Sequence, residues 1–470
     1  MYSMKGSEQN NGGGGGHHDG RLRVAMFPWL GYGHVSPFLE LGKKLSLRNF
    51  EIYICSTPAT LEPVKKKLGA DASVRFHELT LPSSSELPPH YHTTNGLPPH
   101  LMPVLKEAFD ASRPAFAQLL RDIKPDLLVY DFLQPWAPQE AAELGIPAVE
   151  FISSSSTMTC LMVQQFKQPG VEFPFPAIRY RDYELAKIAK ENASTPPERR
   201  EKDKSRVRDC FARSCGLVLI KSFDEIEGQY SNFITTLTGK RMVPVGALVQ
   251  EPSKEDGESE VIVWLNGKEE KSTVFVSFGS EYFLTKEDLI EIAHGLYLSN
   301  LNFIWVLRFP KGEDHGDLIK QVLPEGFLER VGERGLVVEG WAPQAKILEH
   351  PSIGGFVSHC GWSSVMEGMK YGVPIIAMPM HIDQPVNAKL AAEVGVAMEV
   401  VRDSNGKHSR DKIAAVIKAV VQEEAGEGVR SKAAAMREML VEKGDKEIDG
   451  VAEELRKLCA KKEHDFTLIF

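Results

Sequence analysis

The chain has 470 residues, which is long for a single hydrophobic core and favours two domains. Hydrophobic residues make up 42% and charged residues 25%, which excludes a low-complexity or fibrous chain. The formal net charge of −9 argues against a nucleic-acid partner, because binding a phosphate backbone requires a basic surface. An anionic small molecule can still bind, because helix N-termini attract anions locally.

The N-terminus and the cysteines bear on the compartment of the protein. Residues 1–20 are polar and glycine-rich, so we expect a disordered leader. This leader lacks the layout of a secretory signal, and no apolar run approaches the roughly 18 residues of a membrane span. The six cysteines form no C-x-x-C pair and show no metal-ligand spacing. We therefore expect reduced thiols in a cytoplasmic protein.

Apolar runs alternate with helical periodicity along the first half of the chain. This alternation predicts a parallel sheet with helices on both faces, in an α/β domain over residues 21–248. The charged segment 185–207 is expected to be a mobile surface excursion, and the polar segment 249–262 an interdomain linker. The pattern predicts a helix at 35–47, with Pro37 in its first turn, and strands at 21–28, 50–56, 126–130 and 148–152.

A second alternation begins after the linker. It predicts another domain of the same type over residues 263–445. The segment 409–460 is expected to be largely helical. The pattern predicts a helix at 288–297 and strands at 272–278, 302–307 and 335–339.

Two ionisable residues follow strands predicted in the first domain. His34 comes after the first strand, at or just before a helix N-terminus, and Asp131 directly follows the strand at 126–130. Both positions lie at the carboxyl edge of a parallel sheet, where open α/β sheets bind their ligands. A carboxylate against one imidazole nitrogen fixes the tautomer and leaves the other nitrogen as a base. Helix capping or core packing is the alternative for each residue.

The stretch from Trp341 to Gln384 is the most informative part of the chain. It begins with an aromatic residue, has His359 before a Cys-Gly-Trp-Ser-Ser helix start, and ends on Asp-Gln. An aromatic face suits a nucleobase, and the free N–H groups of a helix start suit phosphate. The stretch closely resembles the signature box of plant secondary-product glycosyltransferases, which use UDP-sugars. The resemblance extends over the chain after about residue 20.

This resemblance implies a fold and a reaction. The fold is GT-B, in which two Rossmann-like, doubly wound α/β domains face a cleft, and a helix within residues 446–470 returns to the first domain. The reaction is an inverting transfer from UDP-glucose, with His34 as the base and Asp131 as its helper. No D-x-D sequence is present to hold a metal, so neither metal nor cofactor is expected. We expect a monomer whose partners are a UDP-sugar and a glycoside.

The resemblance also assigns residues to the donor. Trp341 would stack on uracil, Gln344 and Glu367 would bind the ribose, and the helix start would bind the diphosphate. Gln384 at the last position goes with glucose as a family tendency. A core tryptophan and serines that only cap the helix are the alternatives. The expected donor-binding residues are Gly33, Ser280, Trp341, Ala342, Gln344, His359, Gly361, Trp362, Ser363, Ser364, Glu367, Asp383 and Gln384.

The chain departs from the family at one position of the helix start. The family's commonest sequence there is Gly-Trp-Asn-Ser, whereas this chain has Ser363. Asparagine donates two hydrogens through its amide and serine only one. This difference puts a direct contact between residue 363 and the sugar or phosphate in doubt, although the backbone donors remain.

Segments 28–34, 88–103 and 278–283 resemble one branch of the family, whose members extend sugar chains on existing glycosides. We therefore expect β-linked glucose to be added to a sugar hydroxyl of a glycosylated plant natural product, such as a terpenoid or a flavonoid. The alternative reaction is transfer to the aglycone itself. The alternative for residues 92–95 is a capped turn with no contact to the acceptor. The expected acceptor-binding residues are Trp29, His92, Thr93, Thr94, Asn95, Phe132, Phe151, Glu281, Tyr282 and Phe283.

Three other classes of protein agree less well with the sequence. A dehydrogenase needs a third glycine in the dinucleotide fingerprint, which residues 31–36 lack. A hydrolase with a nucleophile elbow needs glycine where Val365 stands. A non-catalytic sensor of UDP-sugars would keep the signature box without needing His34 and Asp131, and this alternative stays open.

Overall fold

The structure is a computed structural model, and it describes residues 20–68, 73–252, 259–279, 282–309, 319 and 322–467. The expected leader up to residue 19 lies outside the described residues, as does the middle of the expected linker. Ser280 and Glu281, expected to bind donor and acceptor, also lie outside them.

The first half of the chain folds around a parallel sheet. Alternate residues of its first strand enter two different core clusters, because successive side chains point to opposite faces of a strand. Helices therefore cover both faces of the sheet. The strands are β1 (Leu22–Phe27), β2 (Phe50–Ser56), β3 (Val74–Glu78), β4 (Leu127–Tyr130), β5 (Ala148–Ile152), β6 (Leu217–Ile220) and β7 (Arg241–Pro244). The helices are α1 (Tyr32–Ser46), α2 (Pro58–Leu68), α3 (Met102–Ala111), α4 (Arg113–Ile123), α5 (Ala137–Glu143), α6 (Ser156–Lys167), α7 (Asp182–Ser194), α8 (Pro197–Arg213) and α9 (Asp224–Thr238).

The second half repeats this architecture around another parallel sheet. Every residue of its strand at Thr273–Ser277 is buried, as expected when helices cover both faces. The strands are β8 (Thr273–Ser277), β9 (Asn302–Leu307), β10 (Gly335–Glu339), β11 (Ile353–Ser358), β12 (Ile375–Ala377) and β13 (Ala397–Glu399). The helices are α10 (Glu260–Asn266), α11 (Lys286–Ser299), α12 (Phe327–Val331), α13 (Gln344–Glu349), α14 (Trp362–Tyr371), α15 (Gln384–Val394), α16 (Arg410–Val421), α17 (Glu427–Lys443) and α18 (Lys446–Thr467).

Both sheets have the doubly wound strand order. Among the described residues the first runs β3-β2-β1-β4-β5-β6-β7 and the second β10-β9-β8-β11-β12-β13. The order reverses between β1 and β4 and again between β8 and β11, so each pair marks a switch point. Ligands bind outside the carboxyl ends of the strands at such points. The predicted two-domain, GT-B-type α/β fold is confirmed by these sheets and by the solved structures compared below.

Most predicted strands have the observed bounds or differ by one residue at an end, because continuous apolar runs define a buried strand. Two local expectations were wrong. Helix α1 begins at Tyr32, so Pro37 lies beyond its first turn. The charged segment 185–207 is mostly helical, within α7 and α8, and Lys187 donates to the backbone oxygen of Met380 in the second domain at 2.6 Å.

The last helix, α18, packs on the first domain rather than on the second. Val451 and Leu455 join the core cluster formed by β1 and α1. The loop before the helix is tied to α1 by an ion pair between Lys44 and Asp445 at 2.6 Å, and Arg48 pairs with Asp449 at 2.6 Å. The end of the chain therefore connects the two halves.

Polar contacts also join the two domains directly. Ser155 of the first domain donates to Asn387 of the second at 2.8 Å, and the hydroxyl of Tyr230 donates to Glu393 at 2.7 Å. One hydrophobic cluster includes residues of both halves. No helix within the described ranges is long and apolar enough to span a bilayer.

Candidate active site

A histidine and an aspartate meet at the switch point of the first sheet. His34 is the third residue of α1, and Asp131 directly follows β4. The Nδ1 atom of His34 lies 2.9 Å from Oδ2 of Asp131. A proton on Nδ1 therefore donates to the carboxylate, which leaves Nε2 as the basic nitrogen. Gly33 beside it is exposed, and a Cβ at that position would meet no atom within 4 Å.

Backbone donors hold the aspartate in place. The Asp131 side chain is fully buried; its Oδ2 accepts the N–H of Trp29 at 2.9 Å, and its Oδ1 accepts the N–H of Phe132 at 2.8 Å. The hydroxyl of Ser153 lies 3.4 Å from Nδ1 of His34. These contacts fix the carboxylate, while 22% of the His34 side chain stays exposed.

The ring of His359 lies between two glycines at the switch point of the second sheet. A Cβ on Gly279 would lie 2.6 Å from Nε2, and one on Gly361 would lie 2.7 Å from it, so the ring needs glycine at both positions. Gly279 also has a φ of +80°, which favours glycine. Burial and the charges of His381 and Arg308 lower the pKa of His359 to about 3. The ring is therefore neutral and keeps one N–H donor.

Helix α14 presents its N-terminus beside this histidine. Gly361 stands at the N-cap position and supplies no side-chain cap, so backbone N–H groups of the first turn keep their donor capacity. The preceding Cys360 has a φ of +62°, and its carbonyl accepts from the Asn387 amide at 3.1 Å. Helix N-termini of this kind attract anions through the N–H groups and the helix dipole. The arrangement suits a diphosphate.

The first two residues of α14 contact the first domain. Trp362 is 4% exposed, and its indole N–H donates to the backbone oxygen of Lys221 at 2.6 Å. The ammonium of Lys221 donates to the hydroxyl of Ser363 at 2.9 Å. The side chain of Trp362, expected at the donor site, thus packs in the domain interface, and only its backbone belongs to the helix start.

Trp341 is a surface tryptophan rather than a core one. It is 51% exposed, and its ring meets that of Tyr32 edge-on at 5.9 Å. The guanidinium of Arg308 lies 5.3 Å from the ring centroid. Next to it, Ala342 is buried, and its carbonyl accepts the N–H of Gln344 at 2.8 Å. A half-exposed indole at the carboxyl edge of the sheet suits the stacking of a base.

The residues expected at the ribose come together between α13 and α14. The Gln344 amide donates to the carboxylate of Glu367 and lies 3.5 Å from the hydroxyl of Ser364. Glu367 is half-buried and Ser364 buried. An ionised acceptor bonds a hydroxyl more strongly than a neutral one does, so this carboxylate suits a ribose hydroxyl.

Asp383 stands at the start of a helix of the second domain. It occupies the N-cap position of α15 and accepts from the Asn387 amide at 2.8 Å. Burial raises the pKa of Asp383, and the hydrogen bond from Asn387 opposes this rise. The Asn387 amide also donates to the carbonyl of Cys360, so Asp383 is tied to the segment that begins α14.

The side chain of Gln384 is engaged within its own turn. Its Oε1 accepts the backbone N–H groups of Met380 at 3.0 Å and His381 at 3.1 Å, and its Nε2 lies 2.9 Å from Nδ1 of His381. The ring of Tyr282 lies edge-on to that of His381 at 4.8 Å, and Phe283 is half-buried. Gln384 therefore fixes the turn that leads to Asp383, and His381 of this turn contacts Tyr282.

Two aromatic residues expected at the acceptor pack inside the first domain instead. Trp29 is 4% exposed and lies edge-on to Phe109 at 5.1 Å. Phe151 is fully buried, with its ring 4.7 Å from that of Phe38. These rings fill the core because Trp29 follows a central strand closely and Phe151 lies within one.

The segment His92–Asn95 forms a turn against the loop that precedes α1. The hydroxyl of Thr93 donates to the carbonyl of Leu30 at 3.0 Å and accepts the N–H of Asn95 at 3.3 Å. His92 and Thr93 are buried, Thr94 is half-buried and Asn95 is exposed. Thr93 therefore has the role of a capped turn, and Thr94 and Asn95 keep surface for a ligand.

A cavity of about 260 Å³ lies next to His34. Phe132, whose ring centroid is 5.4 Å from that of His34, forms part of its wall, and most of the rest is apolar. Glu150 also lines it, and neither of its carboxyl oxygens has a hydrogen-bond partner among the described residues. Burial, and secondarily the charge of Asp131, raises the pKa of Glu150 well above its usual range. The cavity thus combines largely apolar walls with the buried carboxyl group of Glu150.

The structure adds residues that the sequence analysis missed. Ser153 follows β5, Lys221 follows β6 and Arg308 follows β9 directly. The rule that placed Asp131 at the site, a polar residue just after a buried strand, identifies all three. Glu150 gave no such signal, because it lies within a strand.

Comparison with known proteins identifies relatives over nearly the whole chain. The family model described as "UDP-glucoronosyl and UDP-glucosyl transferase" matches residues 240–433, and "Glycosyltransferase, N-terminal domain" matches residues 21–250. "UDP-glucosyltransferase 29" of Panax ginseng is 50% identical, over 95% of this chain and 99% of that protein. The "Beta-D-glucosyl crocetin beta-1,6-glucosyltransferase" of Gardenia jasminoides is 50% identical, over 93% of this chain and 99% of that one.

A third relative is the "Mogroside IIIx synthase" of Siraitia grosvenorii, 51% identical over 91% of this chain and 95% of that protein. Among solved structures, a Glycyrrhiza uralensis UGT complexed with glycyrrhetinic acid 3-O-monoglucuronide superposes with a TM-score of 0.81. The alignment covers 95% of this chain and 98% of that chain at 24% identity, which establishes the common fold.

Proposed function

This chain belongs to the family of UDP-glucuronosyl and UDP-glucosyl transferases, and from that premise we propose that it transfers β-linked glucose from UDP-glucose to a sugar hydroxyl of a glycosylated plant natural product. One relative of 50% identity carries a name that describes this kind of step, a beta-D-glucosyl crocetin beta-1,6-glucosyltransferase. In this proposal residues 21–248 bind the acceptor, residues 263–445 bind the donor, residues 249–262 link them and residues 446–470 return to the first domain.

The contact between His34 and Asp131 carries the proposal. With Nδ1 donating to the carboxylate, Nε2 of His34 removes the proton of the acceptor hydroxyl as that oxygen attacks the anomeric carbon. Asp131 stabilises the imidazolium that results. The sensor alternative has no use for this pair, which the chain holds with three hydrogen bonds to one carboxylate.

A single displacement accounts for the stereochemistry. The acceptor oxygen bonds to the anomeric carbon from the face opposite UDP, the bond from that carbon to the diphosphate oxygen breaks, and its electron pair leaves with UDP. One displacement inverts the configuration, so an α-linked donor yields a β-linked product. No covalent intermediate forms, and no nucleophilic carboxylate is required.

The leaving diphosphate is stabilised by protein donors in this proposal. The neutral His359, the N-terminus of α14 and the hydroxyl of Ser364 supply them, while Trp341 stacks on uracil and Glu367 binds the ribose. Preorganised donors of this type replace the divalent ion that other glycosyltransferases use, so the reaction is metal-independent and requires no cofactor.

The acceptor lies between Asp383 and the cavity next to Phe132. Its sugar presents a hydroxyl to His34, and its apolar aglycone occupies the cavity of about 260 Å³. Thr94 and Asn95, in the turn against Leu30, are proposed to contact the sugar of the acceptor. The enzyme acts in this proposal as a cytoplasmic monomer.

The decisive experiment compares a glycoside with its bare aglycone, using UDP-glucose and purified protein. We expect the glycoside to be glucosylated at least tenfold faster in kcat/KM, and equal or better use of the aglycone would end this part of the proposal. Release of UDP with and without acceptor separates an enzyme from a sensor, because a sensor releases none in either case. NMR of the product's anomeric proton tests the β linkage.

A further inference from the structure

Lys221 reaches from the first domain to the helix start expected to bind the diphosphate. It directly follows β6 at the carboxyl edge of the first sheet and is 1% exposed. Its backbone oxygen accepts the indole N–H of Trp362 at 2.6 Å, and its ammonium donates to Ser363 at 2.9 Å. One residue of the first domain therefore contacts both residues that begin α14.

The surroundings of this ammonium leave its charge without a partner of opposite sign. No carboxylate of the described residues lies within 4 Å of its nitrogen, and Glu367 and Glu40 act on it only from a longer distance. A buried lysine costs several kcal/mol of desolvation, which a nearby anion normally offsets. Here the neighbour is instead the positive end of a helix. An anion bound at this point would offset the repulsion between these two positive groups.

Lys389 shows what a buried interdomain lysine looks like when its role is structural. It is 8% exposed and lies on α15 of the second domain. Its ammonium contacts both carboxylate oxygens of Glu184 in the first domain, at 2.9 Å and 2.7 Å. Lys221 is buried more deeply and also joins the two domains, but a hydroxyl takes the place of the carboxylate.

We propose that Lys221 is a further donor-binding residue, which contacts the diphosphate of the UDP-sugar from the first domain. The inference rests on the proposed function, since it needs the diphosphate at the start of α14. An ammonium has three donors. Ser363 takes one and orients the side chain, so that two remain for phosphate oxygens. When the bond to the sugar breaks, the electron pair moves to the diphosphate oxygen, and the ammonium stabilises that charge without transferring a proton.

This role explains how the site works with serine at position 363. An asparagine there brings its own amide donors to the helix start, whereas the shorter serine brings a hydroxyl that receives Lys221. The positive charge comes from the domain that binds the acceptor. The diphosphate is therefore held from both sides of the cleft, which couples leaving-group stabilisation to the approach of the two domains.

The test compares two ligands that differ only in their phosphates. Dissociation constants for UDP and for uridine are measured by calorimetry on the wild type and on Lys221→Met, which keeps the apolar stem. Loss of a charged hydrogen bond predicts UDP affinity lower by about 10- to 100-fold, with uridine affinity unchanged. The double variant Lys389→Met with Glu184→Gln is the matched control, and its ratio of UDP to uridine affinity stays that of the wild type.

Two outcomes overturn the inference: UDP affinity unchanged in Lys221→Met, or equal losses for UDP and uridine, which indicate a structural role. If Lys221→Met does not fold, Ser363→Ala takes its place, because it removes only the hydroxyl that orients the ammonium. We expect a several-fold loss confined to UDP, and the absence of that selectivity overturns the inference as well. Failure of the wild type to bind UDP would instead contradict the proposed function.

Discussion

The carboxyl edges of the two sheets have the same architecture but differ in their hydrogen bonding. The polar groups of the first edge are bonded within the protein, and those of the second edge are available to a ligand. At the first edge, Asp131 already receives three hydrogen bonds, and His34 is held by one of them. At the second edge, Trp341 is half exposed, and the first turn of α14 has no side-chain cap. One edge is complete without a ligand, whereas the other presents donors and an aromatic face to one.

This difference follows from what each edge has to do. Proton transfer needs one nitrogen in one tautomer, and hydrogen bonds within the protein enforce that choice. Nucleotide binding instead uses groups that water satisfies until the ligand replaces it. The comparison therefore predicts that changes to His34 and Asp131 affect turnover and that changes to the donor-binding residues of the second edge affect binding.

The largest effect is expected from His34→Ala. Loss of a general base lowers kcat by about 10²–10⁴-fold. The affinity for UDP should stay within about twofold of the wild type, because His34 is not among the residues proposed to bind the nucleotide. Steady-state kinetics and UDP titration measure the two quantities. Turnover like that of the wild type would remove His34 from the mechanism and break the comparison.

The second effect concerns Trp341→Ala. Base stacking contributes roughly 1–3 kcal/mol, so the affinity for UDP should fall by about 5- to 150-fold. Uridine should lose affinity by the same factor, unlike the selective loss expected at Lys221. Trp341→Phe is the control, because it keeps an aromatic face. Unchanged binding in the alanine variant would mean that the base lies elsewhere.

The third prediction uses a buried histidine of the second domain. Burial lowers the pKa of His408 to about 3, and neither ring nitrogen has a partner among the described residues. In the unfolded chain this histidine takes up a proton below about pH 6.5, whereas in the folded protein it stays neutral down to about pH 3. The free energy of unfolding is therefore unaffected by His408 above pH 6.5, roughly, and falls as the pH drops toward 3. At pH 5 the loss is about 2 kcal/mol.

His408→Leu removes this titration. Between pH 7 and pH 5, the free energy of unfolding should fall by about 2 kcal/mol less in the variant than in the wild type. Denaturant unfolding at the two pH values measures the difference. Equal losses in both proteins would show that His408 does not stay neutral in the folded state.

The smallest effect is expected from chelation of metals. In the proposed mechanism, donors of the protein stabilise the charge of the diphosphate. Addition of EDTA at roughly 1–5 mM should therefore leave kcat/KM unchanged. If activity is lost and Mg²⁺ or Mn²⁺ restores it, a metal ion stabilises the charge of the diphosphate. The donors of the second edge would then be insufficient without that ion.

The sequence predicted strand bounds, and the residues that directly follow strands, more accurately than it predicted side-chain contacts. The strands β2, β5, β9 and β10 have the predicted bounds, because largely apolar runs of this length favour buried strands. His34, Asp131 and His359 follow strands, and parallel strands bring their carboxyl ends to one edge of the sheet. The sequence alone therefore placed these residues at the carboxyl edges of the two sheets.

Only the tertiary structure decided which side chains point into the cleft. Trp29 and Phe151 were expected at the acceptor and lie in the core, and Trp362 lies in the domain interface. The local sequence pattern does not show the direction in which each of these side chains points, because that direction depends on packing against distant residues. Lys221 and Ser363 are 142 positions apart and meet only because two domains close on each other. By itself the sequence determined the edges of the two sheets; the contacts across them depend on long-range packing, which local periodicity does not encode.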